Sequence, residues 1–238
     1  MSTNSAMLPA ADIIGIAQRQ GRKLLNEIES KQVLKAAGVP TTDTRLARSR
    51  EEATALAKEI GFPVVLKIMS ADIVHKTDVG GVKLGLGGEA TVGKAFDEIL
   101  AAVKARHPGS EIDGVSVQAM ASPGVEVIIG VSRDQQFGPV LMFGIGGTLV
   151  ELLKDVSFRI APITRRDAKE MIREIRGFPM LDGYRGSAPA NLQALEDILL
   201  KISELAAGTP QIGQMDLNPV FARLDDAVAV DARIILEY

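Results

Sequence analysis

The chain has 238 residues, of which 46% are hydrophobic and 24% are charged, as in ordinary globular proteins and unlike collagen-like or wholly disordered chains. Its 27 basic and 30 acidic residues give a net charge of -3, and only 4% of the residues are aromatic, so nucleic acid is not an expected partner. No cysteine is present, which excludes disulfides, thiolate metal sites and cysteine nucleophiles.

No membrane segment is predicted. The longest uncharged stretch, residues 135–150, is shorter than the roughly 20 residues that a membrane helix needs and is interrupted by glycine and proline. The first residues are small and polar, with no basic start and no apolar run, so no secretory signal is predicted. We therefore expect a cytoplasmic location.

Hydrophobic periodicity and turn residues predict the elements in chain order. Three helices, over residues 12–20, 24–37 and 50–60, precede a buried strand over 64–68. After a loop over 69–79 come a strand over 80–86, a helix over 89–106, and strands over 114–120, 124–131 and 139–143. Helices over 165–176 and 192–206 then lead to two strands, over 214–221 and 228–236, joined by a turn at 223–226.

This order of elements predicts the fold class. Strands and helices mix without strict alternation, which favours an α+β fold or a mixed sheet over a doubly wound fold. We expect an N-terminal tail and helix over 1–22, one lobe over 23–110 and a second lobe over 111–238. The Gly- and Pro-rich stretch 177–190 is an alternative place for the break.

Two glycine motifs match nucleotide-binding patterns without their context. Residues 88–95 fit a Walker A loop, except that Ala95 replaces the hydroxyl residue that holds Mg²⁺, and they lie in a predicted helix. Residues 85–90 fit the G-x-G-x-x-A dinucleotide pattern after a strand and before a helix, but no acidic residue closes a βαβ unit some 20 residues on. We interpret both matches as incidental.

The last two strands predict a metal site. Because side chains alternate between faces, Met215, Leu217, Phe221, Val228, Val230 and Ile234 should form an apolar face, and Asp216, Asn218, Asp231 and Arg233 a polar one. A turn centred between Leu224 and Asp225 would place Asn218 opposite Asp231, so three oxygen ligands could share Mg²⁺. The alternative is an ordinary solvated face.

The loop after the first buried strand is the second candidate site. Lys67 either reaches solvent or points into a cleft as a phosphate ligand. His75 and Lys76 come next, and the N–H groups of Gly80 and Gly81 could approach phosphate oxygens. Neutral imidazole is a competent nucleophile toward phosphorus. The alternative is that His75 is a surface residue.

A third set of residues could border a base and its sugar. Gln118, Ala119 and Met120 end one strand and Glu126 lies in the next. The stretch 144–147, followed by Glu151 and Asp155, indicates either a tight turn near an acidic pair or a plain transition from strand to loop.

Several spaced motifs, in order, give the chain a resemblance to a known family, running from about Ser30 to Leu236. They are Ser30-Lys31-Gln32-Val33-Leu34, Val65-Leu66-Lys67, His75-Lys76-Thr77-Asp78-Val79-Gly80-Gly81-Val82, Phe143-Gly144-Ile145-Gly146-Gly147 with Glu151, Asp216-Leu217-Asn218-Pro219 and Val230-Asp231-Ala232-Arg233. The chain resembles the ATP-grasp β subunit of ADP-forming acyl-CoA synthetases of the acetate–CoA ligase type, relatives of succinyl-CoA synthetase.

The resemblance implies an ATP-grasp fold, in which two α+β lobes hold ATP between antiparallel sheets. Lys67 would contact phosphate, residues 118–120 would face adenine, and Glu126 would lie beside the nucleotide. Asn218 and Asp231 match the family's Mg²⁺ ligands. Asp216 stands where succinyl-CoA synthetases carry Glu, and acts either as a ligand or as an orienter of the histidine.

The resemblance also implies a phosphoryl relay. His75 matches the second phosphohistidine that ADP-forming acyl-CoA synthetases use and succinyl-CoA synthetases lack. A phosphoryl group would pass from a histidine of the partner to His75 and then to ADP·Mg²⁺, with Lys67, Lys76 and Arg233 neutralising its charge.

This chain shows no CoA-binding nucleotide fold, so we expect a separate CoA-binding α subunit in an α2β2-type hetero-oligomer, and neither nucleic acid nor a membrane as a partner. Two other functions stay open at this point. A carboxylate–amine ATP-grasp ligase would use Lys67 and the metal face without a phosphohistidine. A nucleotide-binding regulatory module would have no catalytic activity.

Overall fold

The computed structural model describes residues 9–70, 72–73, 76–147 and 154–237. The chain divides into two compact units: unit 1 contains the residues up to Thr41 and from Ser122 onward, and unit 2 contains residues 42–121. In chain order the elements are α1 (Ala10–Arg19), β1 (Leu24–Leu25), α2 (Glu27–Ala36), β2 (Thr44–Ala47), α3 (Arg50–Ile60), β3 (Val64–Met69), β4 (Val82–Leu86), α4 (Glu89–Arg106), β5 (Gly114–Ala119), β6 (Val125–Asp134), β7 (Gly138–Ile145), β8 (Val156–Ile160), α5 (Arg165–Glu174), α6 (Phe178–Leu181), a 3₁₀ turn (Tyr184–Gly186), α7 (Leu192–Gly208), β9 (Ile212–Ala222), β10 (Ala227–Ala229) and β11 (Arg233–Leu236).

Unit 2 is a four-stranded antiparallel sheet in the order β2-β5-β3-β4. Helices α3 and α4 cover one of its faces, where the core side chains include Leu66, Phe96, Ile99 and Val117. The α4 helix begins directly after Gly88, so residues 88–95 form a helix start and not a phosphate loop, as predicted.

Unit 1 is built on a seven-stranded antiparallel sheet in the order β1-β11-β9-β6-β7-β8, with β10 pairing with β9 beside β11. The α5 and α7 helices pack against one face of the sheet. This side holds the larger core, which includes Ile129, Phe143, Ile172, Leu199 and Leu217. The opposite face carries the polar side chains described below. The predicted α+β class is confirmed.

The division of the chain differs from the predicted boundary between residues 110 and 111. Strand β5 pairs with β3 along its whole length, from Val64 opposite Ala119 to Met69 opposite Gly114, and therefore belongs to unit 2. The N-terminal residues belong to unit 1, since β1 pairs with β11 at the far end of the sequence. Pairings between distant segments leave no local signal, so composition alone misplaced the break.

Some predicted elements also needed correction. The predicted helix over 24–37 begins only at Glu27, because Asn26 caps it by accepting a hydrogen bond from the Glu29 N–H at 2.9 Å, and Leu24–Leu25 form a strand. The strands β2 and β8 were not predicted. Their short and mixed sequences, TRLA and VSFRI, give little periodic signal.

Among the described residues, no helix is both long enough and apolar enough to cross a membrane.

Candidate functional site

The polar face of the unit 1 sheet is formed by the last hairpin. Arg233 pairs with Asp216, and Val228 pairs with Phe221. Both pairs fit a turn centred between Leu224 and Asp225, so the predicted register is confirmed. Asp231 lies between β10 and β11, in the break between these two paired segments.

The predicted alternation holds only up to Asn218. Beyond it the buried side chains are Val220, Ala222, Ala227 and Ala229, whereas Phe221, Val228 and Val230 are only half-buried. The reason is a register shift against β6: Leu217 pairs with Ile129, but Val220 pairs with Val127. One extra residue in β9 moves every later side chain to the other face, so the prediction that Phe221, Val228 and Val230 belong to the apolar face was wrong.

The polar side chains of this face are available to a ligand. Glu126, Asp216, Asn218 and Arg233 are exposed, and within the described part of the chain none of their side chains makes a hydrogen bond or a salt bridge. Two of them, Asp216 and Arg233, line a depression of about 250 Å³ together with Ser132, Gln214 and apolar neighbours.

Two carboxylates interact electrostatically in this face. Partial burial in the depression raises the pKa of the Asp216 carboxyl, and the negative charge of Asp231 raises it further, against a smaller lowering by Arg233. Asp231 accepts a hydrogen bond from the Ala232 N–H at 2.8 Å, which orients its carboxylate. Two acids that repel each other in this way gain from a shared cation.

The donor atoms suit Mg²⁺. Asp216, Asn218 and Asp231 offer only oxygen ligands, the kind that Mg²⁺ prefers. Between residues 9 and 237, where described, no group of three or more His, Cys, Asp or Glu residues is placed to hold a metal ion. Asn218 adds an exposed amide oxygen to the same face.

Glu126 is fixed by a glycine turn. Its carbonyl accepts a hydrogen bond from the Gly146 N–H at 2.7 Å, and a Cβ at Gly146 would lie 3.0 Å from the Glu126 Cβ. Asp155 has a structural role, since its two carboxylate oxygens accept hydrogen bonds from the N–H groups of Arg176 and Gly177 at 2.7 and 2.6 Å. Glu151, the other member of the predicted acidic pair, lies outside the described residues.

Unit 2 has its own polar face, opposite its helices. Lys67 in β3 is 7% exposed, and Gln118 in β5 is 1% exposed. Both residues have an interaction partner within the protein. The lysine therefore does not reach into solvent along this strand. Its role as a phosphate ligand in a cleft stays a prediction.

Sequence reasoning missed Ser116, which lies directly opposite Lys67. It is fully buried, and its hydroxyl donates to the Lys67 carbonyl at 3.3 Å. The signal was available, because Ser116 and Gln118 alternate with valines in the sequence GVSVQA, and polar residues at alternate positions share a face.

The other two residues predicted to face adenine are Ala119, the last residue of β5, and Met120, which follows it. The Ala119 N–H donates to the Asp43 carbonyl at 2.9 Å, and the Met120 N–H donates to the Pro63 carbonyl at 3.2 Å. Met120 has an exposed side chain and is followed by Ala121, the last residue of unit 2.

The glycine pair after His75 has a different role from the predicted one. The Gly80 N–H donates to the Thr77 carbonyl at 3.0 Å, and the Gly81 N–H donates to the Lys76 carbonyl at 2.8 Å. Both N–H groups therefore donate hydrogen bonds within the turn and are not available to bind phosphate. Lys76 is half-buried, and His75 lies outside the described residues.

Comparisons with known proteins agree with these features. Residues 16–236 match the ATP-grasp domain. The chain is 48% identical over 227 residues to the β subunit of ADP-forming acetate–CoA ligase I from Pyrococcus furiosus, a match that covers 95% of this chain and 97% of the relative. The chain belongs to this ATP-grasp family. The predicted resemblance and the ATP-grasp fold are confirmed.

Solved structures of similar proteins contain nucleotide analogues. One, with a TM-score of 0.94 and 49% identity, covers 96% of this chain and 100% of its own; it is the dinucleotide-forming acetyl-coenzyme A synthetase 1 of Ca. Korarchaeum cryptofilum with coenzyme A, Ca-AMPCP and HgCl⁺. Another, of the same protein, has a TM-score of 0.87 and 45% identity, with the same coverage. It holds coenzyme A and Mg-AMPPCP, and its phosphohistidine segment points towards the nucleotide-binding site.

Proposed function

We propose that this chain is the nucleotide-binding β subunit of an ADP-forming acyl-CoA synthetase, which converts acid, CoA and ATP to acyl-CoA, ADP and phosphate in a reversible reaction. The observation that carries the proposal is the set of exposed oxygen donors on the open face of the unit 1 sheet, on a chain that shares nearly half its residues with an acetate–CoA ligase β subunit.

Each unit contributes its own part to nucleotide binding in this proposal. In unit 1, Asp216, Asn218 and Asp231 hold Mg²⁺, while Glu126 and Arg233 flank the nucleotide. In unit 2, Lys67 and Lys76 contact phosphate, and residues 118–120 contact the adenine. Bound Mg²⁺ would neutralise part of the negative charge of the phosphates. Gly80 and Gly81, which were predicted to approach the phosphates, only shape the turn after His75 in this proposal.

The chain's own residues then carry the group transfer. The neutral imidazole of His75 attacks the phosphorus of a phosphohistidine on the partner, so one P–N bond forms as the other breaks. In the next step an oxygen of the ADP β-phosphate attacks the same phosphorus, and the new P–O bond replaces the P–N bond of His75. Lys67, Lys76 and Arg233 offset the charge that builds up on the transferred group, and Asp216 either binds the metal or orients the imidazole.

The partner is a CoA-binding α subunit, because the relay needs an acyl phosphate and a first phosphohistidine that this chain does not provide. We further propose an α2β2-type assembly. The family relation supports the partner more directly than the stoichiometry, since two of the relatives, both from Pyrococcus furiosus, are called β subunits. The cytoplasmic location stays a prediction.

A His75→Ala variant tests the relay. Mixed with candidate CoA-binding subunits, the unchanged chain should form ATP from ADP, phosphate and acetyl-CoA, whereas His75→Ala should bind ADP with unchanged affinity but form no measurable ATP. His107→Ala is the matched control. His107 caps the C-terminal end of α4, directly after Arg106, and we expect turnover within about twofold of the unchanged chain.

The other outcomes separate the alternatives. Full turnover by His75→Ala would contradict the relay and favour a ligase without a phosphohistidine. Nucleotide binding without any ADP-dependent phosphate exchange, with every candidate partner tried, would favour a regulatory module.

A further inference from the structure

The open face of the unit 1 sheet presents its polar side chains in a fixed order along β9. Glu126 pairs with Phe221, near the C-terminal end of this strand. Towards the N-terminal end come first Asn218, then Asp216 and last Gln214, all three exposed. Because each residue of an antiparallel strand rises about 3.4 Å, Gln214 lies roughly 14 Å along the strand from Asn218, on the side away from Glu126.

The depression of unit 1 lies at the Gln214 end of this row. Gln214 pairs with Ser132 and Arg233 pairs with Asp216, and these four residues line the depression together with apolar neighbours. Glu126 does not line it. The side chains of Gln214 and Arg233 are exposed and make no hydrogen bond within the described ranges of the chain. The depression is therefore a separate space next to the proposed metal ligands.

The size and the polar groups of the depression suit a small charged group. Pockets that enclose a drug-sized ligand measure roughly 300–1,000 Å³, whereas this depression has about 250 Å³ and is too small for a whole nucleotide. Arg233 offers a positive charge and N–H donors to the oxygens of a phosphoryl group. The Gln214 amide can both donate and accept a hydrogen bond, so it can bind a phosphoryl oxygen or a ring N–H.

The direction of phosphoryl transfer requires a space of this kind. In the proposed reaction an ADP oxygen bonds to phosphorus while the P–N bond breaks, and the attacking and leaving atoms lie roughly in line. The nitrogen leaves as part of a neutral imidazole. It must therefore lie on the side of the phosphorus opposite to ADP. Since Glu126 flanks the nucleotide in the proposed function, this side is the end of the row at Gln214.

We propose that the depression is the subsite for the phosphorylated imidazole that exchanges its phosphoryl group with ADP, and that Gln214 holds this group there. This inference rests on the proposed function, because it takes the carrier to be a histidine. Arg233 binds the phosphoryl oxygens at the border with the metal ligands. Gln214 holds neither Mg²⁺ nor ADP, and the subsite consists of unit 1 residues alone.

Binding of phosphoramidate, a small anion with a P–N bond, tests the subsite on the full chain. Its dissociation constant is measured by ³¹P NMR with Mg²⁺ and ADP at saturation. Gln214→Ala should bind phosphoramidate at least about threefold more weakly, the effect of one lost hydrogen bond, while its ADP affinity stays unchanged. Gln211→Ala is the matched control, because Gln211 is an exposed glutamine directly before β9, and it should bind both ligands as the unchanged chain does.

Turnover with a CoA-binding partner gives the second readout. In the direction of ATP formation, Gln214→Ala should lower kcat at least about threefold and leave the KM values for ADP and for phosphate unchanged. Gln211→Ala should alter none of these constants.

Three results would overturn the proposal. The first is equal phosphoramidate affinity in Gln214→Ala and the unchanged chain. The second is a matching loss of ADP affinity, which would assign the depression to the nucleotide. The third is a raised KM for phosphate with constant kcat, which would assign it to free phosphate. If no partner supports ATP formation by the unchanged chain, the proposed function fails instead, and phosphoramidate binding still decides whether the depression receives a phosphoryl group.

Discussion

The two units use the same architecture in opposite ways. Each has a sheet with one face against helices and a second face with polar side chains. In unit 1 those side chains, Asp216, Asn218 and Arg233, are exposed and make no hydrogen bond or salt bridge in the described part of the chain. In unit 2, Lys67 and Gln118 are buried and already engaged.

This difference shows two ways of preparing for a charged ligand. An exposed oxygen donor without a partner costs the folded chain little and gains its contacts only when a cation arrives. A buried lysine must be compensated within the protein before any ligand binds, and it is therefore held in place in advance. Substitutions on the polar face of unit 1 should therefore affect ligand binding alone, whereas those on the polar face of unit 2 should affect both ligand binding and stability.

The largest effects on stability should come from the cores. In each unit the core lies on the face of the sheet that is covered by helices. Phe143→Ala in unit 1 and Leu66→Ala in unit 2 each remove a fully buried side chain. We expect losses of about 3–5 and 2–5 kcal/mol in the free energy of unfolding, measured by denaturant titration. Losses below about 1 kcal/mol would mean that these faces are not the cores.

Lys67→Ala should reduce both stability and nucleotide affinity. Its removal leaves buried polar partners uncompensated, so we expect a loss of about 1–3 kcal/mol in the free energy of unfolding without any ligand. Calorimetry should show weaker ADP binding as well. Lys94→Ala, at an exposed position of α4, is the control for a lost positive charge. Unchanged stability together with unchanged affinity would remove Lys67 from the site.

Asn218→Ala should do the opposite and affect only ligand binding. Without Mg²⁺, stability should stay within about 0.5 kcal/mol of the unchanged chain, whereas the Mg²⁺ concentration needed for nucleotide binding should rise at least about tenfold. Ser132→Ala, on the same face of the sheet, should alter neither quantity. A metal titration that does not move in Asn218→Ala would contradict the ligand assignment.

Asp216→Asn should give a small change in stability that depends on pH and on Mg²⁺. The pKa of Asp216 is raised by partial burial and by Asp231, so the stability that its carboxyl contributes is present at low pH and is lost as the pH rises through the folded-state pKa. At neutral pH, without metal, Asp216→Asn should therefore be slightly more stable, by less than about 1 kcal/mol for this exposed group. Added Mg²⁺ should reverse the order, and thermal melts at two pH values measure both effects. A less stable variant in metal-free buffer would contradict the repulsion between Asp216 and Asp231.

The exposed face of unit 1 was the easier one to predict. Strand β9 alternates buried and exposed residues up to Asn218, and a single turn at 223–226 was enough to fix the register of the hairpin. Every residue of β3 is buried, so the period of two that would have assigned Lys67 to a face is hidden. Beyond Asn218 the shift against β6 broke the alternation, and a strand from another part of the chain cannot be seen in a local pattern.

The sequence by itself determined the fold class, most helices, the register of the final hairpin and the residue types that suit Mg²⁺ and phosphate, because these depend on neighbours within a few residues along the chain. The tertiary structure alone decided that β5 belongs with β3, that β1 pairs with the C-terminal strand, and that Arg106 reaches Asp78. Those features depend on pairing between distant segments, whose partners are chosen by the packing of the whole unit and not by local preference.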